Sequence, residues 1–414
     1  QRILVRADEL APNPVMARYM KAIGEFRRGD LRAALTHMDL LVAQFPEDRF
    51  FQEFRGDILF GLARSEEAAQ GDTVRAHYTR AATVNSSVTP AMTIPEGDDQ
   101  TIDTETLTLS QISNVQIPWT GEDIKHVNNG AGYETIYGDQ IAQAFRGISN
   151  AIEAHVATVA YQGASRAVGS AGTAPFGSTH HVVNEARQVI IDNGMPDSDG
   201  MLSLVMNTTA GTRFRNLTNL YKVNESGDTS LLRQGVLTDI SQVMMRESAQ
   251  VQAHTKGAGA GYDAAGGEPV GETSIALDGG TVNTTGIKTG DVVTFAGDSN
   301  NYVVRTGSVA TSGTIVLNGP GLREALADTT EMTIGNSYTA NVLLHRSAVE
   351  LAMRPLEKPN GSDAAVDEMT VQDPHSGLVF RVSVYKGYYK QMIDITALYQ
   401  AKAWKPDGIA LVMG

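Results

Sequence analysis

The chain has 414 residues, of which 42% are hydrophobic and 19% are charged. This composition belongs to a folded globular protein with room for two or three domains, so disorder is excluded as the default state. The sequence contains no cysteine, which excludes disulfides, thiolate metal clusters and cysteine nucleophiles. A formal net charge of -14 argues against a protein that clamps nucleic acid, because phosphate binding needs clustered lysine and arginine.

An acidic protein can still enclose DNA, since like charge keeps packed DNA from sticking to a container wall. No stretch approaches the roughly 20 consecutive apolar residues of a membrane span, and no secretory signal opens the sequence. We therefore expect a protein that is made in a cytoplasm and has no membrane partner.

Residues 1–65 differ from the rest of the chain. Apolar residues such as Tyr19 and Ile23 follow a helical spacing, and turn signals at 28–30 and 46–48 divide the segment into predicted helical hairpins. With its small residues between the turns, the segment resembles a tetratricopeptide repeat. Fewer than about three such repeats rarely stand alone, so this part must dock on something or be foreign to the rest.

Residues 73–124 predict an extended arm followed by a long two-stranded ribbon. Their β-branched residues alternate with polar ones, as in the run from Ile102 to Thr108. A lone ribbon is marginal in water, so we expect it to lie on a neighbouring subunit.

A long amphipathic helix is predicted over residues 137–166, where about 30 residues would span about 45 Å. Its apolar positions are Ile141, Phe145, Ile148, Ile152, Val156 and Val159. Residues 181–194 predict a second helix that stops at Asn193 and Gly194, and residues 201–207 predict a buried strand. Alternating strand and helix indicates a mixed α/β domain.

Residues 256–267, KGAGAGYDAAGG, are interpreted as a flexible linker. Short strands between Gly, Asn and Asp turns over residues 268–338 then predict a small β-barrel inserted into the α/β domain. The expected barrel core comprises Val292, Val293, Phe295, Val303, Val304, Ile315 and Leu317. Residues 338–356 predict a strand running into a short helix, and two alternating strands follow to residue 414.

Two patterns that suggest chemistry have plainer explanations. Gly257, Gly259 and Gly261 resemble a phosphate loop but follow no strand–helix unit, so we prefer a linker. The adjacent His180 and His181 cannot reach one face of a helix, whereas paired metal ligands sit three or four residues apart. Helix entry and surface roles fit them better.

The run Asp197, Asp199, Gly200 has the first spacing of a calcium loop, but Thr208 stands where the bidentate glutamate is needed. A plain turn is the better interpretation. The sequence also lacks a His-Glu-x-x-His helix, a P-loop and a Gly-x-Ser-x-Gly elbow, which removes the well-marked enzyme classes. We predict no catalytic, cofactor or metal site.

Charged residues of the front half have two interpretations. The plainer one is solvated faces, and the functional one is complementary charge between subunits. The residues are Glu66, Glu67, Asp98, Asp99 and Glu122 on the acidic side and Arg75, Arg80, Lys125, Arg146 and Arg166 on the basic side.

Taken in order, these segments resemble the major capsid (coat) proteins of tailed bacteriophages, in the branch with an inserted β-barrel domain. The resemblance covers residues 66–414. It is carried by residues 71–123 for the arm and extended loop, 137–177 for the spine helix, 284–307 for the barrel, and 345–356 with 376–414 for the return and closing strands.

The resemblance implies an α+β fold, the tailed-phage major capsid fold, with an arm, an extended β-ribbon loop, a long spine helix and a central α/β domain. Its implied divisions are 66–130 (arm and extended loop), 131–255 (spine helix and first part of the central domain), 256–338 (inserted barrel) and 339–414 (return to the central and peripheral domain). Residues 1–65 depart from the family pattern.

The resemblance further implies a homo-oligomer of pentamers and hexamers that encloses double-stranded DNA without binding it specifically. A scaffolding protein and a portal are the implied partners, the virion is the implied location, and assembly would occur in the bacterial cytoplasm. Such a protein is a structural subunit and not an enzyme, and it needs no cofactor.

Two assembly hypotheses follow. The first is that residues 73–124 lie across adjacent subunits and find their backbone partners there, so that deleting residues 100–118 leaves a folded monomer without particles. The second is that the barrel, residues 268–338, stiffens the α/β domain and contacts other capsomers. The rival functions are a helical-repeat binding module linked to a bacterial peptidase, suggested by residues 1–65, and a β-rich phage tail protein.

Overall fold

The fold is given by a computed structural model. It describes residues 31–45, 73–79, 102–128, 133–197, 200–222, 239–281, 286–308, 310–359, 363–373 and 376–414, with single positions between 15 and 23 and between 234 and 237. The helices are α1 Leu31–Gln44, α2 Gly121–Asn128, α3 Tyr133–Gln162, α4 His181–Asp192, α5 Thr208–Arg215 and α6 Thr218–Tyr221, with a 3-10 turn at Pro406–Gly408.

Most of the remaining regular structure is strand. In chain order the strands are β1 Thr73–Thr79, β2 Ile102–Thr108, β3 Gln111–Thr120, β4 Arg166–Gly169, β5 Leu202–Met206, β6 Met244–Glu247, β7 Ala253–His254, β8 Tyr262–Ala264, β9 Ser274–Asp278, β10 Val292–Phe295, β11 Asn301–Thr306, β12 Gly313–Leu317, β13 Glu331–Ile334, β14 Tyr338–His345, β15 Val349–Arg354, β16 Ala365–Gln372, β17 Val379–Lys386, β18 Lys390–Ala403 and β19 Ile409–Met413.

The chain divides into two compact units. The first comprises Gln1–Ile148 and Ala352–Gln400, and the second comprises Ser149–Leu351 and Ala401–Gly414. Each unit is therefore built from segments that are distant in the sequence.

The second unit is organised around a mixed sheet in the order β4-β19-β14-β5-β6. The pairs β4–β19 and β5–β6 are parallel, whereas β14 runs antiparallel to both of its neighbours. Strand β19 is buried along its whole length, and helix α4 covers one face with Val183, Ala186, Val189 and Ile190. The predicted alternation of helix and strand thus forms an α/β core.

Six further strands of this unit close into a small barrel. The order is β10-β13-β8-β9-β12-β11, and a pairing of β10 with β11 completes the ring, while β11 also pairs with β4. All seven expected core residues are buried. Val292 and Val303 pack outward into the cluster of Tyr161 and Leu411, and the other five fill the barrel interior.

The glycine run was wrongly expected to be a linker. Tyr262–Ala264 is a barrel strand, and the ring of Tyr262 is buried in the barrel. A Cβ on Gly257 would lie 1.9 Å from the carbonyl oxygen of Gly286, so this backbone is packed too closely for any side chain. Glycine is needed here for close approach and not for flexibility.

The long helix is confirmed, but its predicted limits were wrong. Helix α3 begins at Tyr133 and ends at Gln162, and Arg166 belongs to strand β4. The expected apolar positions are buried or half-buried. A Cβ on Gly163 would lie 2.3 Å from Cβ of Ala403, so tertiary packing determines where the chain leaves the helix.

A short helix expected after β14 is instead strand β15. Its residues pair along β18 in a sheet of the order β15-β18-β17-β16, with β3 also on β18. Valine, leucine and methionine at alternate positions of Val349–Arg354 fit this half-buried strand, and sheet pairing overrides the helical propensity of the segment.

The first unit contains the sheet strands β3, β16 and β17, the ribbon β1–β2 and helix α1. Helix α1 confirms a helix at the centre of the tetratricopeptide-like segment, with Ala34, Met38 and Leu41 buried. The expected turns at 28–30 and 46–48 lie largely outside the described residues.

Candidate assembly surface

Strands β1 and β2 form a two-stranded antiparallel ribbon. Their register runs from Thr73 opposite Thr108 to Thr79 opposite Ile102. Within the described residues no third strand joins this ribbon, so neither of its outer edges is paired with another strand. The strand expected at Ile102–Thr108 is confirmed as β2, but the expected order of an arm followed by a two-stranded ribbon was wrong, because β2 pairs with β1 from the segment that we had expected to be the arm.

Strand β3 has a different environment. It pairs with β18 over ten residues, from Gln111 opposite Tyr399 to Thr120 opposite Lys390. The expectation that all of residues 73–124 find their backbone partners on other copies is therefore wrong for β3. Deleting residues 100–118 would remove most of this strand and leave β18 paired only with β15 and β17, so we expect that deletion to destabilise the sheet within a single copy.

Side chains fix β3 in register. The Ser110 hydroxyl donates to Gln400 Oε1 at 3.0 Å, and the hydroxyls of Ser113 and Tyr399 are also 3.0 Å apart. Trp119 is buried, and its Nε1 donates to Gln140 Oε1 of helix α3 at 3.0 Å. The far edge of β3 is unpaired among the described residues, and Pro118 suits such an edge because it has no N–H to offer.

An open groove of about 540 Å³ lies along this edge. Its walls are β3 and the first turns of α3, and its lining is mainly apolar. The lining residues are Val115, Gln116, Ile117, Pro118, Ile136, Asp139, Gln140, Gln143 and Ala144.

Strand β16 is the last strand of the order β15-β18-β17-β16, and a cluster of charged residues packs against it. Lys358 Nζ lies 3.0 Å from Asp363 Oδ1 and also pairs with Glu368, which accepts a further bond from Arg381 Nη2 at 3.1 Å. The Tyr385 hydroxyl donates to Asp363 Oδ2 at 2.7 Å. This bond, together with the Ala365 N–H and Lys358, lowers the pKa of Asp363 to about 2.

A buried polar cluster lies where the barrel joins the central sheet of the second unit. Asp291 accepts hydrogen bonds from the backbone N–H of Gly257 at 3.0 Å and of Lys288 at 2.7 Å. His254 Nε2 lies 2.8 Å from Asp291 Oδ1, and since a carboxylate only accepts, Nε2 carries the proton. The Tyr161 hydroxyl lies 3.4 Å from the other ring nitrogen.

Tyr161, His254 and Asp291 are connected in the same sequence of groups as a proton relay. Their burial and ring packing, however, favour a structural role. All three residues are buried, and the His254 ring lies against the rings of Tyr161 and Tyr338 with centroids 5.6 and 5.1 Å apart. Burial raises the pKa of the Tyr338 hydroxyl, which donates to the carbonyl of Gly290. The cluster ties β7, β10, β14 and α3 together.

Sequence reasoning did not find this cluster. Its members are separated by up to 177 positions between Tyr161 and Tyr338, with His254 and Asp291 between them. The one available signal was an aspartate directly before the apolar run of β10, because an ionisable group there must be buried with partners.

The histidine pair and the calcium-loop-like run do not come together into a shared site. His181 pairs with Glu185 one helical turn later, at 3.0 Å, and His180 directly precedes helix α4. Asp197 pairs with Arg187, Gly200 occupies a turn with φ +70°, and Asp199 is outside the described residues. In the part of the chain that the structure describes, no group of three or more acidic or histidine residues could hold a metal ion.

The charges of the front half are only partly described. Glu122, Lys125 and Arg146 are exposed, as the plainer interpretation expects. Arg166 contradicts that interpretation, because it is buried, donates to Asn300 Oδ1 at 2.7 Å and lies 3.7 Å from Asp192. The residues without described side chains are Glu66, Glu67, Arg75, Arg80, Asp98 and Asp99.

Among the described residues, no helix is both long and apolar enough to cross a membrane. No protein-family model matches the chain, and no curated protein matches it.

Solved structures give weak likenesses over most of the chain. A structure described as Mycobacterium phage Che8 has 13% sequence identity and a TM-score of 0.46, covering 85% of this chain and 86% of that one. The capsid of cyanophage P-SCSP1u has 10% identity and a TM-score of 0.46, with coverages of 83% and 84%. The mature capsid of bacteriophage PhiM1 has 11% identity and a TM-score of 0.43, with coverages of 84% and 83%.

Proposed function

We propose that the chain is a shell-forming structural subunit, the major capsid protein of a tailed bacteriophage. The observation that carries the proposal is the ribbon β1–β2. Two strands alone are marginally stable in water, and this ribbon has both outer edges open among the described residues. A neighbouring copy of the chain can satisfy those edges by strand addition, and closed symmetry sums such contacts into a stable shell.

Two more features support the proposal. Among the described residues, no further strand pairs with the outer sides of β3 and β16 in the sheet of the first unit, so a single copy offers several separate contact regions. The net charge of -14 suits a wall that encloses DNA without gripping it.

The finer parts of the proposal come from the resemblance of residues 66–414 to tailed-phage coat proteins. They are the shell of pentamers and hexamers, the scaffolding protein and portal, the virion location, assembly in the host cytoplasm, and the divisions at 66–130, 131–255, 256–338 and 339–414. The closed barrel is the proposed inserted domain, which would stiffen the α/β core and contact other capsomers.

Electron microscopy tests the proposal directly. The full chain is expressed in bacteria, and the lysate and the purified protein are examined by negative stain and by size-exclusion chromatography with light scattering. We expect megadalton spheres. Monomers would favour the helical-repeat binding module, rods would favour the tail protein, and either result would overturn the capsid assignment.

A matched pair of variants tests the ribbon. In an antiparallel ladder, neighbouring residues direct their N–H groups alternately toward the paired strand and away from it. Of Glu105→Pro and Thr106→Pro, one therefore breaks the β1–β2 pairing and the other blocks only the outer edge of β2. We expect both to abolish spheres while circular dichroism keeps the wild-type spectrum. Normal spheres from both variants would refute the role of the ribbon.

A further inference from the structure

The hairpin between β17 and β18 ends in two exposed tyrosines. The N–H of Gly387 donates to the carbonyl of Lys390 at 2.8 Å, so Tyr388 and Tyr389 are the central residues of a tight turn. Tyr388 is 91% exposed and Tyr389 is 78% exposed. Their rings meet edge to face with centroids 4.5 Å apart and form one aromatic knob.

The turn has an unfavourable backbone at Tyr389. Its φ is +55°, in the left-handed region that glycine and asparagine normally occupy at this turn position. A bulky aromatic residue is strained there, and glycine would not be. The free chain therefore carries both backbone strain and exposed aromatic surface at this point, and a partner that buries the rings would offset both.

The charges around the knob favour a protein partner over a polyanion. Lys386 and Lys390 flank the tyrosines, but the N-terminal turn of α2 lies beside them, with the N–H of Gly121 donating to the carbonyl of Tyr389 at 3.4 Å. Hydrogen bonds from Thr120, and the nearby charges of His126 and Lys390, lower the pKa of Asp123. The lysine charge is thus locally balanced, whereas phosphate binding needs an excess of positive charge.

Strand β16 of the same unit has the complementary character. Val366 is 60% exposed and Met369 is 59% exposed, in an edge strand whose outer side is unpaired among the described residues. A bulge between Ala365 and Asp367 inserts one residue. Because the bulge shifts the alternation by one, Val366 lies on the same face as Asp367 and Met369.

We propose that the Tyr388–Tyr389 knob of one copy docks on the Val366, Asp367 and Met369 face of a second copy. The methionine and valine would cover the aromatic rings, and Asp367 would meet Lys386 at the rim. Two different surfaces meet in this contact, so it joins copies head to tail, which generates rings when the rotation closes. The inference rests on the proposed self-assembly and names one of its contacts.

The test uses the full chain and three changes. Tyr389→Gly removes strain as well as an aromatic ring, so we expect a higher thermal midpoint together with at least a tenfold weaker self-association by sedimentation velocity. Asp367→Lys should weaken self-association similarly. Mixing Asp367→Lys protein with Lys386→Asp protein should restore association between the two variants, because the charges are exchanged across the contact.

Val270→Ser is the matched control, since Val270 is 62% exposed but lies in the barrel unit. We expect wild-type association from it. If the wild type assembles and Tyr389→Gly and Asp367→Lys assemble equally well, this contact is wrong and the proposed function stands. If the wild type stays monomeric, the proposed function itself fails. Retention of short duplex DNA by the wild type, lost in Tyr389→Gly without any change in association, would identify the knob as a nucleic-acid contact and overturn the proposal.

Discussion

Replacing Asp291 by alanine should destabilise the second unit strongly. The carboxylate accepts hydrogen bonds from His254 Nε2 and from the backbone N–H groups of Gly257 and Lys288, and Asp291 is 1% exposed. Alanine would leave two buried donors and the half-buried N–H of Lys288 without an acceptor, and each buried donor costs about 1–3 kcal/mol. We expect a loss of about 4 kcal/mol in the free energy of unfolding, or about 8–16 °C in the midpoint for a unit of this size.

Thermal unfolding followed by circular dichroism measures this effect, and hydrogen exchange at the amides of Gly257 and Lys288 locates it. Asp278→Ala is the control, because that aspartate is exposed at the end of barrel strand β9. Asp291→Asn keeps one acceptor oxygen and should lose roughly half as much stability. A midpoint for Asp291→Ala within about 2 °C of the control would refute the reasoning. Such a small shift is less than the loss of stability expected from even one buried N–H group without an acceptor.

Three further predictions concern packing and pH. Gly163→Ala should lower the free energy of unfolding by about 1–3 kcal/mol in urea titrations, because its Cβ would lie 2.3 Å from Cβ of Ala403. Gly147→Ala, which has open space inside helix α3, should instead raise the free energy of unfolding by up to about 1 kcal/mol, and equal effects of the two changes would contradict the packing argument. Val293→Asp puts a carboxylate into the barrel core and should give aggregates in place of shells, whereas Val270→Asp at an exposed site should still give shells. Soluble shells from Val293→Asp would show that assembly does not need an apolar barrel core. Burial raises the pKa of Asp407 above 3.8, so the folded chain holds this proton more tightly than the unfolded chain and loses stability as pH rises through the raised pKa. Asp407→Asn should therefore unfold at a higher temperature than the wild type at about pH 7, with a difference that vanishes near the ordinary aspartate pKa of about 4; a difference independent of pH would point to another cause.

Local sequence pattern predicted the elements whose burial follows a simple period. Helix α4 and its stop at Asn193 and Gly194 are confirmed, and so are the barrel strands and five of the seven expected core residues. In these elements the intrinsic propensities, the apolar periodicity and the turn residues all indicate the same secondary structure, so the local sequence is enough to predict it.

The errors lie where distant residues decide the outcome. The end of α3 depends on Ala403, and the strand conformation of β15 depends on β18. The glycines near residue 257 were interpreted as flexible because their packing against Gly286 cannot be read from spacing. For the candidate surface, the sequence indicated strand β2, but it could not show that β2 would pair with β1, that β3 would pair with β18 or that β16 and Tyr389 would be left exposed.

Strand β19 has a consequence for biosynthesis. It lies between β4 and β14, and every one of its five residues is buried. Until β19 is present, β4 and β14 therefore each lack the strand that pairs with them on that side. A pairing between segments so far apart in the chain has a high entropic cost of loop closure, so it forms late in folding. A nascent chain therefore cannot complete this sheet before residues 409–413 have left the ribosome, which delays a rigid core until synthesis has passed that point.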